Sequence, residues 1–201
     1  MATPQPAIPL FPENLRAMGE AYLKLLGKWN GVHSITGLAP EQRFEGLLLD
    51  SAALLPHLGS ILAGSLVADF GSGMGIPAFL IAAHRPDLNV LAVDRNRKKV
   101  AFVRQAALEL QLSNLRAECG PIESLAPLNA DVGTAKAVGD LGTLLTWWKR
   151  HSAPGAPFFA FKGSKWDCSD VGREWSHEAF PYSLPSMGER AIIRLRERCP
   201  N

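Results

Sequence analysis

Apolar residues recur along this chain in two different rhythms. Between Asn14 and Trp29, the residues Leu15, Met18, Tyr22, Leu25, Leu26 and Trp29 fall three or four apart, the spacing that lines one face of a helix. Phe44, Leu47, Leu48, Ala52 and Leu55 keep that spacing and predict a second helix over 40–58. Beyond residue 60 the rhythm changes. Short apolar runs at 66–70, 90–93, 115–118, 131–135 and 158–161 are separated by helical patterns at 75–84, 97–111 and 140–150. Pro86-Asp87 punctuates the first crossover and Pro154-Gly155 the last. Strands spaced by helices read as parallel βαβ units, because a parallel neighbour is reached only by crossing over the sheet. Two more strands read at 174–184 and 190–195. The expected architecture is an α/β, Rossmann-like sheet, mostly parallel with an antiparallel late strand. An irregular, loosely attached proline-rich start (1–13) and a helical cap (14–60) precede a core over 61–201.

Chemistry concentrates where the first strand ends. Val67-Ala-Asp-Phe-Gly-Ser-Gly-Met-Gly-Ile76 runs a strand into a glycine loop and then a helix, and Leu91-Ala-Val-Asp94 ends the next strand on a carboxylate. Gly71 and Gly73 allow a tight turn and close approach of backbone to a ligand, and Asp94 stands where ribose hydroxyls can donate to it. A dinucleotide loop reads G-x-G-x-x-G and faces a pyrophosphate. Here Gly71, Gly73 and Gly75 give G-x-G-x-G, with Asp69 two residues ahead of the first. An acid there suits a ligand bearing an ammonium group, and the loop looks like that of S-adenosylmethionine (SAM)-dependent methyltransferases. A nicotinamide oxidoreductase or an empty glycine turn is the competing reading.

Composition narrows the field modestly. The 201 residues suffice for one domain, and 47% hydrophobic with 20% charged residues is ordinary globular usage. A net charge of +2 neither demands nor excludes a nucleic acid. Cys119, Cys168 and Cys199 are scattered and odd in number, which suits a reducing, cytoplasmic compartment rather than a disulfide framework. No secretory leader and no membrane-spanning run are read. The five histidines show no ligand spacing, and His177-Glu178 lacks the second histidine of a zinc hydrolase motif, so no metal is expected.

A more specific match lies in a series of short motifs. Lys28-Trp29-Asn30, Ser34-Ile35-Thr36, Leu49-Asp50-Ser51, Gly71-Ser-Gly-Met-Gly-Ile-Pro77, Arg85-Pro86, Lys98-Lys-Val-Ala-Phe-Val-Arg104, Lys162-Gly163 and Gly188-Glu-Arg190 occur in order. Over roughly residues 15–195 the chain resembles the RsmG (GidB) family, which methylates the N7 position of a guanine in 16S ribosomal RNA. The resemblance implies SAM as cofactor, lying over the carboxyl ends of the strands, and small-subunit ribosomal RNA or the small ribosomal subunit as partner. It implies that Gly71, Ser72, Gly73 and Gly75 face the methionine part and that Asp94 and Arg95 flank the ribose, with Asp69 kept as the acid read above for the ammonium group. Ile122 and Glu123 match the segment that holds the adenine.

The departures cluster on the side expected to meet RNA. Gly46 and Leu47 stand where the family carries an Arg-His pair, and Ala135-Lys136-Ala137-Val138 replaces its Ser-Arg-Ala-Phe. Pro121 replaces an arginine and Ala191 a histidine. The chain is read as a diverged member, with another RNA, a small molecule, or a regulatory SAM-binding role without catalysis as alternatives. Lys136, at the end of the fourth strand, is the expected catalytic substrate contact. Lys162, Arg97 and Lys98 are further substrate candidates, the last two in a basic cluster that opposes the helix dipole. Arg190, Arg194, Arg196 and Arg198 suggest either an RNA-facing edge or edge protection. Trp29, Trp147 and Trp148 read as core, and a monomer is expected.

Overall fold

A computed structural model of the chain describes residues 6–163, 166 and 171–198. Cys168 and Cys199 lie outside them. Helix α1 (Arg16–His33) follows a single 3-10 turn and buries Tyr22, Leu25 and Leu26. Tyr22 stacks on Phe79 with centroids 4.3 Å apart, and its hydroxyl donates to the Met74 carbonyl at 2.9 Å. Trp29 meets Phe102 edge-on at 5.7 Å, so the cap is welded to the sheet layer by aromatic pairs. The helix ends at Ser34 in the left-handed conformation, and Asn30 accepts from the Thr36 backbone at 2.8 Å to hold the turn.

The second predicted helix is not one helix. It divides into a 3-10 turn at Pro40–Gln42, a π-helical stretch at Phe44–Leu49, one α turn, α2 (Asp50–Ala52), and a 3-10 turn at Leu55–Leu58. Pro56, inside the predicted helix, removes a donor that a continuous helix would need, while Pro40 merely starts the segment. The wide middle turns bury Gly46, Leu47, Leu48, Asp50, Ser51 and Ala52, more of the circumference than an amphipathic α-helix hides.

Among the described residues, seven strands form one sheet in the order β3-β2-β1-β4-β5-β7-β6. These are β1 (Leu66–Phe70), β2 (Asn89–Asp94), β3 (Leu115–Cys119), β4 (Val132–Lys136), β5 (Phe158–Gly163), β6 (Trp175–Leu184) and β7 (Gly188–Glu197). The first five are parallel, and β7 pairs antiparallel with both β5 and β6. Only β7 therefore runs against the sheet, as expected of one late strand, because a short hairpin turn joins it to β6, which points the same way as β1–β5. β7 is interior and β6 is the edge, so the arginines of β7 do not guard an edge. Arg190 pairs with Asp50, Arg194 with Glu178, and Arg198 donates to the Trp175 carbonyl at 3.2 Å.

Helices α3 (Ala78–His84) and α4 (Arg97–Glu109) pack with the cap on one face, and α5 (Leu141–His151) covers the other. Trp148 of α5 is fully buried against Phe70 and Phe158; truncation to Ala would cost about 3–5 kcal/mol. The described part of the proline-rich start is irregular yet attached. Phe11 packs on Phe44 at 5.3 Å, and the Ala7 carbonyl accepts from Ser183 N at 3.1 Å. Strand order reverses between β1 and β4, which opens a crevice at their carboxyl ends, where α/β sheets bind ligands.

Candidate active site

The glycine loop fills that crevice. α3 begins only at Ala78, so residues 71–77 are free to turn, with Gly71, Gly73 and Gly75 at φ of +65°, +59° and +84°. A Cβ on Gly71 would lie 2.4 Å from Val138 Cγ2 and one on Gly75 would lie 2.9 Å from Val103 Cγ2, so both are required by packing. A Cβ on Gly73 meets no atom of the described residues within 4 Å. Gly73 is therefore the glycine that leaves space rather than fills it.

Asp94, at the end of β2, buttresses the loop. Its Oδ2 accepts from Gly73 N and its Oδ1 from Asn96 N, both at 2.8 Å. The Asn96 side chain accepts from Lys98 N at 3.0 Å and caps α4. Ser72 N donates to Val93 O at 2.9 Å, while its buried hydroxyl oxygen has no partner among the described residues. Asp69 is fully enclosed, one layer behind the loop. Thr134 Oγ1 donates to its Oδ1 at 2.9 Å and Ala78 N to its Oδ2 at 3.2 Å. Burial pushes its pKa up to about 7, against those two hydrogen bonds and the positive charge of Lys136.

Beside the loop lies an open pocket of about 550 Å3, within the usual range for small-ligand sites. Gly71, Asp94 and Arg95 line one side; Ile122, Glu123 and Val138 line the other. Ile122 is buried in a 3-10 turn after β3, whereas Arg95 and Glu123 are exposed. Trp148 is core, but Trp147 is half-buried and lines this pocket.

Lys136 is committed elsewhere than to open solvent. Its Nζ donates to the Gly46 carbonyl at 2.8 Å and lies 3.1 Å from Asp50 Oδ2, with the side chain 12% exposed. Asp50 is fully buried and its Oδ1 accepts from Arg190 Nε at 2.8 Å and Tyr182 Oη at 2.6 Å. Burial and the Asp50 charge hold the Tyr182 hydroxyl well above its ordinary pKa, so it donates at every physiological pH. Lys162 donates to the Gly139 carbonyl at 3.3 Å, while Arg97 and Lys98 are exposed on the first turn of α4. Tyr182 and Trp147 are contributors that sequence reasoning did not single out for the site. Nothing in β-strand periodicity marks Tyr182, and helical spacing alone assigns both tryptophans to a core.

A glycine loop with one unfilled glycine, a carboxylate at the end of β2 and a topological reversal define the SAM-dependent methyltransferase class. The fold agrees: a SAM-dependent methyltransferase from Aquifex aeolicus superposes with a TM-score of 0.58 over 77% of this chain and 92% of that one, at 16% identity. A SAM-dependent O-methyltransferase from Thermotoga maritima gives 0.59 over 76% and 66%, at 13% identity. Residues 16–188 match the family model GidB, rRNA small subunit methyltransferase G. Ribosomal RNA small subunit methyltransferase G of Neisseria gonorrhoeae (strain NCCP11945) is 39% identical over 144 residues, 71% of this chain and 68% of that protein. That of Methylobacillus flagellatus is 39% identical over 145 residues, 71% and 69% respectively. The chain belongs to this family, and its cofactor is SAM. The residues present fit that group: Gly73 leaves room at the loop, the Ser72 hydroxyl is unpartnered, and the pocket offers an apolar wall at Ile122.

No helix among the described residues is long and apolar enough to cross a membrane, and they contain no group of three metal-ligating side chains.

Proposed function

We propose that this protein transfers a methyl group from SAM to N7 of a guanine in small-subunit ribosomal RNA, as a cytoplasmic monomer. The observation that carries the reading is the empty space at Gly73 directly beside Asp94, at the crevice where the sheet reverses. SAM supplies a sulfonium methyl group that is already activated. Guanine N7 offers a free lone pair, so the protein need not remove a proton. Alignment is the main task, and holding two reactants in line can contribute about 7–11 kcal/mol.

In this reading Gly71, Ser72, Gly73 and Gly75 hold the methionine part, and Asp69 acts on its ammonium group across the loop. Asp94 and Arg95 flank the ribose. Ile122 packs on the adenine ring with Glu123 near its edge. Arg97 and Lys98, exposed at the positive end of a helix, gain most from a phosphate nearby. Lys162 adds charge beside Gly139. Lys136 is the catalytic-side cation, presented at the end of β4 by Asp50, for the guanine or its phosphate.

A second reading, methylation of another RNA or a small molecule, is favoured by the helical cap. Gly46 and Leu47 are buried, and the Gly46 carbonyl is taken by Lys136, so this stretch presents no cation to a nucleic acid. The decisive experiment is transfer of radiolabelled methyl from SAM to small ribosomal subunits lacking the family's guanine modification, followed by mapping of the label. Label on that guanine supports the first reading. No label, with SAM binding verified in the same sample, supports the second or a non-catalytic role.

A further inference from the structure

The wall that carries Ile122 and Glu123 has little support of its own. Between β3 and β4 the chain forms no α-helix, only the 3-10 turn Ile122–Ser124 and irregular backbone to Ala130. Its support comes from the last turn of α5. His151 Nε2 lies 3.0 Å from the Ile122 carbonyl oxygen, Arg150 donates to the Leu125 carbonyl at 3.1 Å, and the His151 carbonyl accepts from Ala130 N at 2.8 Å.

His151 is fully buried, and its Nδ1 has no hydrogen-bond partner among the described residues. A carbonyl oxygen only accepts, so Nε2 carries the ring proton and Nδ1 the unshared lone pair. The ring lies edge-on to Phe70 at 5.6 Å, in surroundings that an apolar side chain would satisfy at lower cost. Among the described residues, the one polar contact the imidazole ring makes is with the peptide that aims Ile122 into the pocket. Trp147, four residues earlier on α5, lines the same pocket, so one stripe of this helix serves the wall both directly and through its backbone.

We infer that His151 is a positioning residue for the adenine of SAM: its Nε2–H, bonded to the Ile122 carbonyl, fixes the peptide that presents Ile122 and Glu123. The inference rests on the adenine placement proposed above. Burial lowers the imidazole pKa, which keeps the ring neutral with its single proton on the working nitrogen.

The test compares His151→Met, which keeps bulk and removes the donor, with His151→Gln, whose amide reaches the same carbonyl. His151→Met is expected to raise the SAM Kd and KM about tenfold, the size of one buried carbonyl left unpaired, with kcat at saturating SAM unchanged. His151→Gln is expected to restore most of that affinity. Unchanged SAM affinity in His151→Met overturns the inference. So does equal loss in both variants in parallel with falling thermal stability. Ile122→Arg separates the two levels. If it abolishes SAM binding while His151→Met does not weaken it, only the positioning role fails. If it binds SAM as the unmodified protein does, the adenine placement fails and takes this role with it. Should His151→Met not fold, the His151 ring proton of the unmodified protein is followed by NMR as adenosine is added. A shift supports the role, and an unresponsive resonance overturns it.

Discussion

Asp50 and Arg190 stand 140 residues apart in sequence, yet Arg190 Nε donates to Asp50 Oδ1 at 2.8 Å in the protein interior. Tyr182 donates to the same oxygen, and Lys136 lies against the other. Three elements meet on one carboxylate: the helical cap, the end of β4, and the β6–β7 hairpin. A second tie runs in parallel, because Glu45 accepts from the Ser186 backbone at 2.6 Å and from its hydroxyl at 2.7 Å. Those bonds hold the Glu45 carboxyl below its ordinary pKa.

Removing the central charge leaves two cations facing each other with no anion between them. Asp50→Asn is expected to destabilise the fold by about 3–5 kcal/mol, the cost of breaking a buried pair from one side. Urea unfolding measures it. A loss below about 1 kcal/mol, the level of a surface pair, would contradict the buried network.

The loop glycines should separate folding from binding. Gly71→Ala drives a methyl group to 2.4 Å from Val138 and should lower stability, read as a fall in Tm. At Gly73 an added Cβ meets no described atom within 4 Å; in Gly73→Val, strain at the positive φ costs about 1–2 kcal/mol, and SAM binding by calorimetry should vanish. Retained micromolar binding would place the donor elsewhere.

Asp94 has both oxygens engaged by backbone N–H groups, which orients it for further acceptance from ribose hydroxyls. Asp94→Ala is expected to weaken SAM by about 1–3 kcal/mol, the range for bonds to a charged acceptor. Equal affinity in a titration would remove it from the ribose site.

Asp69 predicts a pH dependence with a definite sign. Its folded pKa is raised to about 7 from 3.8, so between those values the folded state holds a proton that the unfolded state has released. The contribution of this group to stability is therefore greatest in acid and declines as pH rises from about 4 to 7, by a few kcal/mol in order of magnitude. An ammonium group in the site favours the ionised carboxylate, so SAM should bind more tightly as pH rises through 7. Asp69→Asn should flatten both profiles, and an unchanged binding profile in that variant would exclude Asp69 as their source.

Lys136→Ala should leave SAM affinity unchanged and reduce methyl transfer to small ribosomal subunits, with Lys136→Arg retaining transfer. Normal transfer in Lys136→Ala would reduce this lysine to a structural partner of Asp50.

Local chemistry decided much of this protein in advance. Alternating strands and helices require a parallel sheet, glycines at 71, 73 and 75 permit the turn, and Asp94 ends a strand at the ligand edge of that sheet. Such features follow, each within a short stretch of chain, from backbone sterics and hydrophobic periodicity, so they are legible in one dimension. The broken helix at 40–58 was not, because its apolar spacing is equally compatible with α and π turns, and burial on most of its circumference settles the difference. Nor was the setting of Lys136: nothing near it in sequence shows that Asp50 and Gly46 reach it from the cap. His151 and Trp147 read as helix residues until the fold sets α5 beneath the β3–β4 connection. Sequence by itself determined the sheet, the loop and the cofactor's class; tertiary structure alone decided which charges are already paired, because Lys136 and Arg190 reach Asp50 only when segments far apart in sequence are brought together.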